Sequence, residues 1–238
     1  KFEVPNAALA PVKSNSLELG GRLNWSPLHL SLHAFASFLD DAIDERQLAE
    51  AEWQALGLDP EAVGDKPVVQ RSNAARGLLW GMESSASLGP WWDTWLWARL
   101  AWVRGEVEDA SGHTSPIRLE PPLMGAAGLR YSPRGGGLYV ELFTRFAAKK
   151  TRLHPSDLAD LRICGDPGSL GDTYADSGLS CPGTKAWATV NARAGYFFHS
   201  GLRLDLAATN LADLRYRYHG SGIDAPGIGV SLSLQVEY

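Results

Sequence analysis

The chain has 238 residues, of which 45% are hydrophobic and 21% are charged, so it can bury a core and is not an intrinsically disordered polypeptide. Its formal net charge of -5 argues against a nucleic-acid-binding surface, which needs clustered Lys and Arg. The longest apolar stretch, Trp91 to Val103, contains Asp93 and Arg99, so no segment of about 18 apolar residues is present to cross a membrane as a helix.

Hydrophobic residues alternate with polar ones at a period of two along much of the chain, and this pattern predicts nine β-strands. The first alternation begins at Leu17, and the second runs from Leu28 to Phe38. The last runs from Ile228 to Tyr238, so the chain ends on an aromatic residue. We predict strands at residues 17–25, 28–38, 70–87, 92–106, 122–132, 137–150, 185–198, 202–215 and 227–238.

Two of the connecting segments carry helix signals. Asp44 to Leu58 is rich in strong helix formers and has Gly57 near its end, which predicts a short surface helix. Ser156 is placed to cap a single helical turn that reaches Leu161.

The predicted connections alternate strictly between short and long. The four short ones are 26–27, 88–91, 133–136 and 199–201, and the four long ones are 41–69, 107–121, 151–184 and 216–226. A soluble sandwich has no reason to collect its long loops at one end, whereas outer-membrane barrels combine short periplasmic turns with long extracellular loops. The alternation therefore favours a transmembrane β-barrel over a soluble β protein.

Charged residues are confined to one face of the predicted strands. In the strand at 137–150, one face carries Leu138, Val140, Leu142 and Phe146, and the other carries Tyr139, Glu141, Arg145 and Lys149. Charges are costly against lipid but are tolerated toward a wet or plugged lumen. We therefore expect an all-β, antiparallel transmembrane β-barrel segment whose apolar faces meet lipid.

The sequence contains two cysteines, Cys164 and Cys181, both within the long connection at 151–184. In an oxidising compartment they would form a disulfide that closes this loop, as is common in envelope and secreted proteins. The alternative is a pair of free thiols in a cytosolic loop.

Four motifs resemble those of the TonB-dependent receptors of the outer membrane. The most specific runs from Asn210 to Tyr216, with His219 and Pro226-Gly227 downstream, and resembles the family's Asn-Leu-x-Asp-x-x-Tyr segment before the last strand. The others are Asn6 to Ser14 followed by Leu17 to Gly20, Trp80 to Glu83, and Pro121-Pro122 followed by Gly128 to Tyr131. The sequence departs from the family pattern at Val12, Thr209 and Ile228.

The resemblance covers essentially the whole chain and implies the C-terminal part of a 22-stranded barrel. Residues 1–16 would then be an extracellular loop lead-in, and residues 17–238 a barrel segment of about nine strands. The plug, the TonB box and about thirteen strands of the family pattern are missing, and nine is an odd number for a single-chain barrel. The chain also begins at Lys1 without an initiator Met or a signal-peptide pattern, as a processed product or a fragment does. We therefore expect an incomplete barrel, completed by an N-terminal receptor portion that is a separate chain, in either a naturally split receptor or one nicked in an extracellular loop.

The resemblance also implies a function. Such a receptor imports a scarce nutrient, such as a metal chelate, a siderophore or a cobalamin-like molecule, across the outer membrane of a Gram-negative-type bacterium. TonB would act indirectly through the N-terminal portion, the barrel assembly machinery would insert the chain, and outer-membrane lipid would surround it. No enzyme activity, cofactor or nucleic-acid partner is expected. The alternative is a plug-less barrel with an adhesive, structural or passive-diffusion role.

No catalytic or metal-binding constellation stands out in the sequence. His29 and His33 are too far apart on one strand to share a metal. The acidic residues after the second strand fit either a divalent-cation site or ordinary solvent-exposed charges at the start of a loop. Loop 151–184 is the best candidate for ligand contact, through Asp160, Arg162, Asp172 and Tyr174. The alternative is that the disulfide merely protects an exposed loop. The end of the chain, with Leu234, Val236 and Tyr238, resembles the terminal signal that the barrel assembly machinery reads.

Overall fold

The computed structural model of the chain describes residues 2–64, 66–73, 76–109, 112–158, 160–164, 181–199 and 201–236. Within these residues the chain is mostly β-strand, with four short helices. No helix in the described residues is long and apolar enough to cross a membrane. In chain order the elements are β1 (Phe2–Val4), β2 (Lys13–Trp25), β3 (Leu28–Asp40), β4 (Ile43–Gln47), α1 (Glu50–Ala55), α2 (Pro60–Val63), β5 (Val68–Asn73), β6 (Arg76–Trp91), β7 (Thr94–Glu108), β8 (Thr114–Pro116), β9 (Met124–Tyr131), β10 (Leu138–Ala147), α3 (Pro155–Leu158), α4 (Leu161–Cys164), β11 (Trp187–Phe197), β12 (Leu202–Thr209) and β13 (Gly229–Val236).

Nine strands form one open sheet, as predicted, but residues 70–73 of the strand predicted at 70–87 belong to β5, which pairs in a different sheet. The order of the open sheet is β13-β12-β11-β10-β9-β7-β6-β3-β2, with β8 paired to β7, and the pairings from β7 to β13 are antiparallel. Successive long strands of the chain are therefore neighbours in the sheet. Among the described residues, β2 and β13 each have a single neighbour and form the two edges.

The alternation of short and long connections is also confirmed. The short ones are 26–27, 92–93, 132–137 and 198–201, and the long ones lie between β3 and β6, β7 and β9, β10 and β11, and β12 and β13. The second short connection differs from its prediction at 88–91. Strand β6 continues through Gly89 and Pro90, and the chain turns at Trp92 and Asp93, whose φ angles of 48° and 60° form a two-residue hairpin turn.

Strand β12 ends at Thr209, six residues before the predicted end at 215, because Asn210 turns the chain. Asn210 has a φ of 52°, and its side-chain amide bonds both the N–H and the carbonyl of Leu214, at 3.0 and 2.9 Å. Its own N–H donates to the side-chain oxygen of Asn191 at 3.0 Å. The Asn of the family-like motif thus closes a local loop and ties it to strand β11.

The chain divides into two compact units. One comprises residues 1–17, 36–80 and 105–117, and the other comprises residues 18–35, 81–104 and 118–238. The first unit holds a small sheet of order β1-β5-β4, in which β1 is parallel to β5 and β4 is antiparallel to it. Its apolar core consists of Val4, Leu48, Trp53, Val63 and Val68.

The small sheet corrects the helix predicted over Asp44 to Leu58. Residues 43–47 pair with β5 as a strand, and the helix is limited to α1. Helix α1 begins where the Glu52 carboxylate accepts a hydrogen bond from the Ala49 N–H at 2.8 Å. Pairing with a neighbouring strand therefore overrides the local helix propensity. Within residues 1–16, Phe2–Val4 is a strand, and β2 already begins at Lys13.

The turn predicted from Ser156 begins two residues earlier. His154, and not Ser156, caps it: the His154 ring Nδ1 accepts a hydrogen bond from the Ser156 N–H at 3.0 Å. The Asp157 carboxylate accepts the His154 N–H at 3.2 Å. The described residues here form two separate turns, α3 and α4.

Candidate functional site

The sheet from β7 to β13 has two chemically different faces, which we name the polar face and the apolar face. On β10, Leu138, Val140 and Leu142 are exposed on the apolar face, whereas Tyr139 and Glu141 between them are buried on the polar face. On β13 the apolar face consists of exposed Val230, Leu232, Leu234 and Val236. The predicted division of side chains between the two faces is therefore present.

Glu141 is the centre of a charged row on the polar face. The register sets it opposite Arg193 on β11 and opposite Arg130 on β9. Its carboxylate accepts hydrogen bonds from Arg193 Nε and Nη2 at 3.1 and 3.0 Å, and Arg130 Nη1 lies 3.9 Å away. The carboxylate is 1% exposed, so both arginines compensate a charge that is nearly out of solvent.

A second row of the polar face contains Tyr139 and Asp205. The Tyr139 hydroxyl donates to Asp205 Oδ1 at 2.5 Å, and Arg203 Nη2 donates to the same oxygen at 3.0 Å. The Arg130 guanidinium lies 4.4 Å from the centre of the Tyr139 ring. These contacts join β9, β10 and β12 through side chains in addition to the backbone ladder.

The polar face also carries a cavity of about 540 Å³ next to Arg99 and Arg145. Trp187 lines it and belongs to an aromatic cluster, with ring centres 4.3 Å from Tyr216 and 5.1 Å from Tyr218. Cavities of this size that combine apolar walls with a few polar groups are typical of small-molecule sites.

A second candidate region lies where the long connections leave the sheet, and we name it the loop-base cluster. It contains Glu120, Lys150, Asp157 and His219, from three different connections. The Glu120 carboxylate pairs with Lys150 and accepts a hydrogen bond from Arg152 Nη1 at 2.6 Å. Glu120 and Lys150 are both 5% exposed, so this ion pair is removed from water.

Asp157 and Asp160 attach the loop that carries the predicted ligand residues to the loop-base cluster. The Asp157 carboxylate, 1% exposed, accepts the Leu119 N–H at 3.4 Å. Arg118 Nε lies 3.8 Å from Asp157 Oδ1, and Arg118 Nη2 lies 3.5 Å from Asp160 Oδ2. The loop between β10 and β11 is therefore bonded to the end of the preceding long connection.

Of the four predicted ligand residues, Asp160 and Arg162 lie within the described chain. They pair with each other, with Arg162 Nη2 donating to Asp160 Oδ2 at 2.6 Å. The bonded guanidinium holds the pKa of the Asp160 carboxyl below its ordinary value. Asp172 and Tyr174 lie outside the described residues.

Cys164 and Cys181 are joined by a disulfide across a sequence separation of 17 residues. Cys164 is fully buried at the end of α4, and Cys181 precedes Thr184 by three residues. Thr184 in turn pairs with Lys150 through two backbone hydrogen bonds of 3.0 Å. The disulfide thus closes the loop directly beside the loop-base cluster.

His219 connects the last long connection to the same cluster. Its Nδ1 lies 2.8 Å from the Thr184 hydroxyl, and its Nε2 is buried and has no hydrogen-bond partner among the described residues. Burial lowers the pKa of the imidazole below its ordinary value, and the positive charge of Lys150 acts in the same direction.

The remaining predicted positions lie on the polar face or at the sheet edge. His29 Nδ1 lies 3.2 Å from Asn24 Oδ1, and His33 Nδ1 lies 3.4 Å from Glu18 Oε1. The described residues contain no group of three His, Cys, Asp or Glu side chains arranged to hold a metal. Leu234 and Val236 lie on the apolar face of the edge strand β13, and Tyr238 is outside the described residues. Sequence reasoning missed Glu120 and Lys150, because no local pattern relates charges 30 residues apart.

The family model described as TonB dependent receptor-like, beta-barrel matches residues 1–211 of the chain. Because this match covers most of its length, the chain belongs to the TonB-dependent receptor family. The resemblance seen in the sequence motifs is confirmed. A comparison with curated protein sequences gives no significant match.

Solved structures of two metal transporters and a siderophore receptor have a similar fold. The copper transporter OprC is 17% identical, with a TM-score of 0.66 over 94% of this chain and 31% of that chain. The FrpB iron transporter from Neisseria meningitidis (F3-3 variant) is 13% identical, with a TM-score of 0.62 over 98% of this chain and 32% of that chain. The siderophore receptor PirA from Pseudomonas aeruginosa is 16% identical, with a TM-score of 0.57 over 98% and 31%.

At these identities the similarity shows the fold alone, and this chain spans about a third of the length of the three structures. Together with the family match, it defines the open sheet as a segment of an outer-membrane β-barrel of a Gram-negative bacterium. The polar face is then the lumen side of the wall, and the apolar face is the lipid side. Family members are receptors and transporters and not enzymes.

Proposed function

We propose that the chain is the C-terminal barrel portion of a receptor that imports a scarce nutrient across the outer membrane. The cargo is a metal chelate such as a siderophore complex, or a cobalamin-like molecule. The observation that carries the proposal is the charged polar face, which lies beneath long connections held together by the loop-base cluster. A rigid wall that presents loops is a common basis for recognition. The similar structures are named as a copper transporter, an iron transporter and a siderophore receptor, which supports this cargo class.

The proposed partners follow from the edges of the sheet. Strands β2 and β13 have one neighbour each among the described residues, and an unpaired strand edge in lipid leaves backbone groups without hydrogen bonds. An N-terminal receptor portion, as a separate chain, supplies the plug and the remaining strands, and TonB acts through that plug. The barrel assembly machinery reads Leu234 and Val236 at the end of β13, together with Tyr238, which lies outside the described residues.

In the same proposal, residues 1–16 belong to an extracellular loop, and residues 17–238 form the wall and its connections. The long loop between β10 and β11, which holds the disulfide, contacts the cargo at the extracellular end through Asp160, Arg162, Asp172 and Tyr174. The mutual pairing of Asp160 and Arg162 supports a role in shaping this loop before the cargo binds.

Import is tested by deleting the gene in its own host and measuring growth under iron, copper or cobalamin limitation. The proposal expects a growth defect on at least one nutrient, rescued by the intact gene and not rescued in a strain that lacks TonB. Growth that is unaffected on all three nutrients, or rescue without TonB, contradicts import and favours a plug-less barrel.

The companion chain is tested separately by intact-mass analysis of the complex purified from outer membranes. The proposal expects a 25.8 kDa chain accompanied by a second polypeptide that carries a plug. A lone 25.8 kDa species, or one longer polypeptide that contains this sequence, contradicts the separate-chain proposal.

A further inference from the structure

Residues 210–228, which join β12 to β13 and which we name the last connection, form an internally bonded loop. The Asn210 side-chain amide donates to the Pro226 carbonyl at 3.2 Å, so the two ends of the loop are joined. The Asp224 carboxylate accepts hydrogen bonds from two arginines of the same loop, at 2.5 and 2.8 Å. Segments bonded in this way open as cooperative units, so the last connection can leave its neighbours as one piece.

The last connection lies against the lumen wall through aromatic side chains. The rings of Tyr216 and Tyr218 pack on Trp187 of β11, and Arg145 of β10 donates to the Tyr218 hydroxyl at 3.0 Å. Trp187 is only 8% exposed as a result of its surroundings. The position of the last connection therefore decides whether this part of the wall is covered.

A second contact joins the last connection to residues 181–186, which lead from the disulfide to β11 and which we name the return segment. The Thr184 hydroxyl lies 2.8 Å from His219 Nδ1. The next residue of the last connection, Gly220, passes so close to Leu119 that a Cβ atom on it would lie 2.8 Å from Leu119 Cδ2. Thr184 is therefore the point at which the return segment meets the last connection.

The return segment is itself fixed by Lys150 and by the disulfide. Thr184 exchanges two backbone hydrogen bonds of 3.0 Å with Lys150. Gly183 has a φ of 69°, and a Cβ atom on it would clash with the Lys150 carbonyl oxygen, so the two backbones are in direct contact. Three residues before Thr184, Cys181 is bonded to Cys164, which is fully buried at the end of α4.

Helix α4 also carries Arg162, one of the proposed cargo contacts. The disulfide holds the Cα atoms of Cys164 and Cys181 5.4 Å apart, so a displacement of α4 is passed to the return segment. A parallel route is the side-chain stem of Arg162, because a Cβ atom on Gly222 would lie 3.5 Å from Arg162 Cδ. The disulfide route runs through covalent bonds and hydrogen bonds, whereas this second route is a single van der Waals contact.

We infer that the disulfide between Cys164 and Cys181 couples α4 to the last connection, through Thr184 and His219. The two elements then move together, and breaking the disulfide loosens the last connection from the lumen wall at Trp187. The inference rests on the proposed function in one respect, because the cargo contact on α4 is part of that proposal. The coupling itself is a property of the loops and is measured without cargo.

The coupling is tested in the complete receptor by hydrogen exchange of residues 216–226 in a double-mutant cycle. The four forms are the wild type, Cys164→Ala with Cys181→Ala, Thr184→Val, and the combination of all three substitutions. Loss of the disulfide and loss of the Thr184 hydroxyl should each speed exchange by about 5- to 10-fold, because each removes one link of the same route. In the combined form the two effects should not multiply.

Two results overturn the inference. One is exchange of residues 216–226 that is unchanged when the disulfide is absent. The other is an effect of disulfide loss that is undiminished in the Thr184→Val background, which would assign the coupling to the contact between Arg162 and Gly222.

Thr151→Val is the matched control variant, because Thr151 belongs to the same long loop and its side chain is exposed. It should leave exchange of residues 216–226 within about twofold of the wild type. Retained amide protection in β10 and β11 separates loss of coupling from unfolding of the wall. If the cysteine substitutions remove that protection, the wild-type receptor reduced with a phosphine supplies the same comparison without a substitution.

The growth assay keeps this inference apart from the import function. Coupled exchange in a receptor without a growth phenotype removes import and leaves the coupling. A growth phenotype in a receptor whose last connection exchanges independently of the disulfide removes the coupling alone.

Discussion

The small sheet and the wall of the barrel use apolar side chains in opposite ways. In the small sheet, Val63 and Val68 are 2% exposed and pack with Trp53 into a closed core. In β13, Leu232 is 70% exposed and its neighbours on the apolar face are exposed as well. The first arrangement is stabilised by removing apolar surface from water, and the second requires lipid as its solvent.

In this protein, an apolar side chain can therefore be exposed within the chain and still be stably placed, provided that lipid surrounds it. The wall obtains its internal contacts from the polar face, where Glu141, Arg193, Tyr139 and Asp205 are bonded across strands. The small sheet has the ordinary arrangement of a water-soluble fold, with charged Arg46 and Glu52 paired at its surface. Four experiments on the complete receptor test this contrast.

The largest effect is expected from Trp53→Ala, which empties the core of the small sheet. Loss of a buried Trp side chain costs about 3–5 kcal/mol, which is enough to unfold so small a core. Hydrogen exchange should show loss of amide protection in β4 and β5, with protection in β10 and β11 retained. The control Leu56→Ala removes an exposed side chain of the same segment and should leave protection unchanged. Retained protection in Trp53→Ala would contradict the assignment of a separate core.

Leu232→Arg tests the apolar face. An arginine on the lipid side of a barrel strand costs about 2–4 kcal/mol at mid-membrane depth, so the urea midpoint of the receptor refolded into lipid vesicles should fall. Ser233→Arg is the matched control: Ser233 is the next residue of β13, lies on the polar face opposite Asp205, and should have little effect. Equal costs for the two variants would mean that the faces are wrongly assigned.

Glu141→Gln removes the charge at the centre of the polar row and leaves Arg193 and Arg130 without their counter-ion. Because both arginines are partly exposed, the expected cost is about 1–2 kcal/mol, below that of breaking a fully buried pair. Urea unfolding in vesicles measures it. Glu18→Gln, in which the carboxylate is mostly exposed beside His33, serves as the control and should change stability by less than about 0.5 kcal/mol. A Glu141 variant as stable as this control would show that the row does not stabilise the wall.

The smallest effect is expected from the protonation of His219, which should make the stability of the loop-base cluster depend on pH. Burial lowers the folded-state pKa of His219 below its ordinary value of 6.5, so between the two values the unfolded segment binds the proton and the folded one does not. Stability of the loop-base cluster should therefore fall as the pH drops below 6.5 and level off below the folded-state pKa. Hydrogen exchange of residues 210–228 at pH 5.0 and 7.5 measures this difference, and His219→Gln should abolish it. An undiminished pH difference in His219→Gln would assign it to another group.

The wall strands and the alternating connections could be predicted because their signal is local. Each strand carries its own period of two, and each short turn is bounded by the strands that it joins. The small sheet could not be predicted in this way. Strand β1 pairs with β5 more than 60 residues later, and β4 is built from residues such as Glu45 and Gln47 that favour helices when taken alone.

The candidate sites also differ in whether they depend on a local sequence pattern or on long-range pairing. The sequence identifies the cysteine loop and the charged face of β10, because these are patterns within one segment. It does not identify the pairing of Glu120 with Lys150 or the hydrogen bond from Arg145 to the Tyr218 hydroxyl. These depend on strand register and on where three connections meet.

The sequence by itself determined the family, the number of wall strands and which side chains share a face, because alternation and short motifs are properties of neighbouring residues. Only the tertiary structure decided which charges find partners, since partners lie on different strands and register sets their distance.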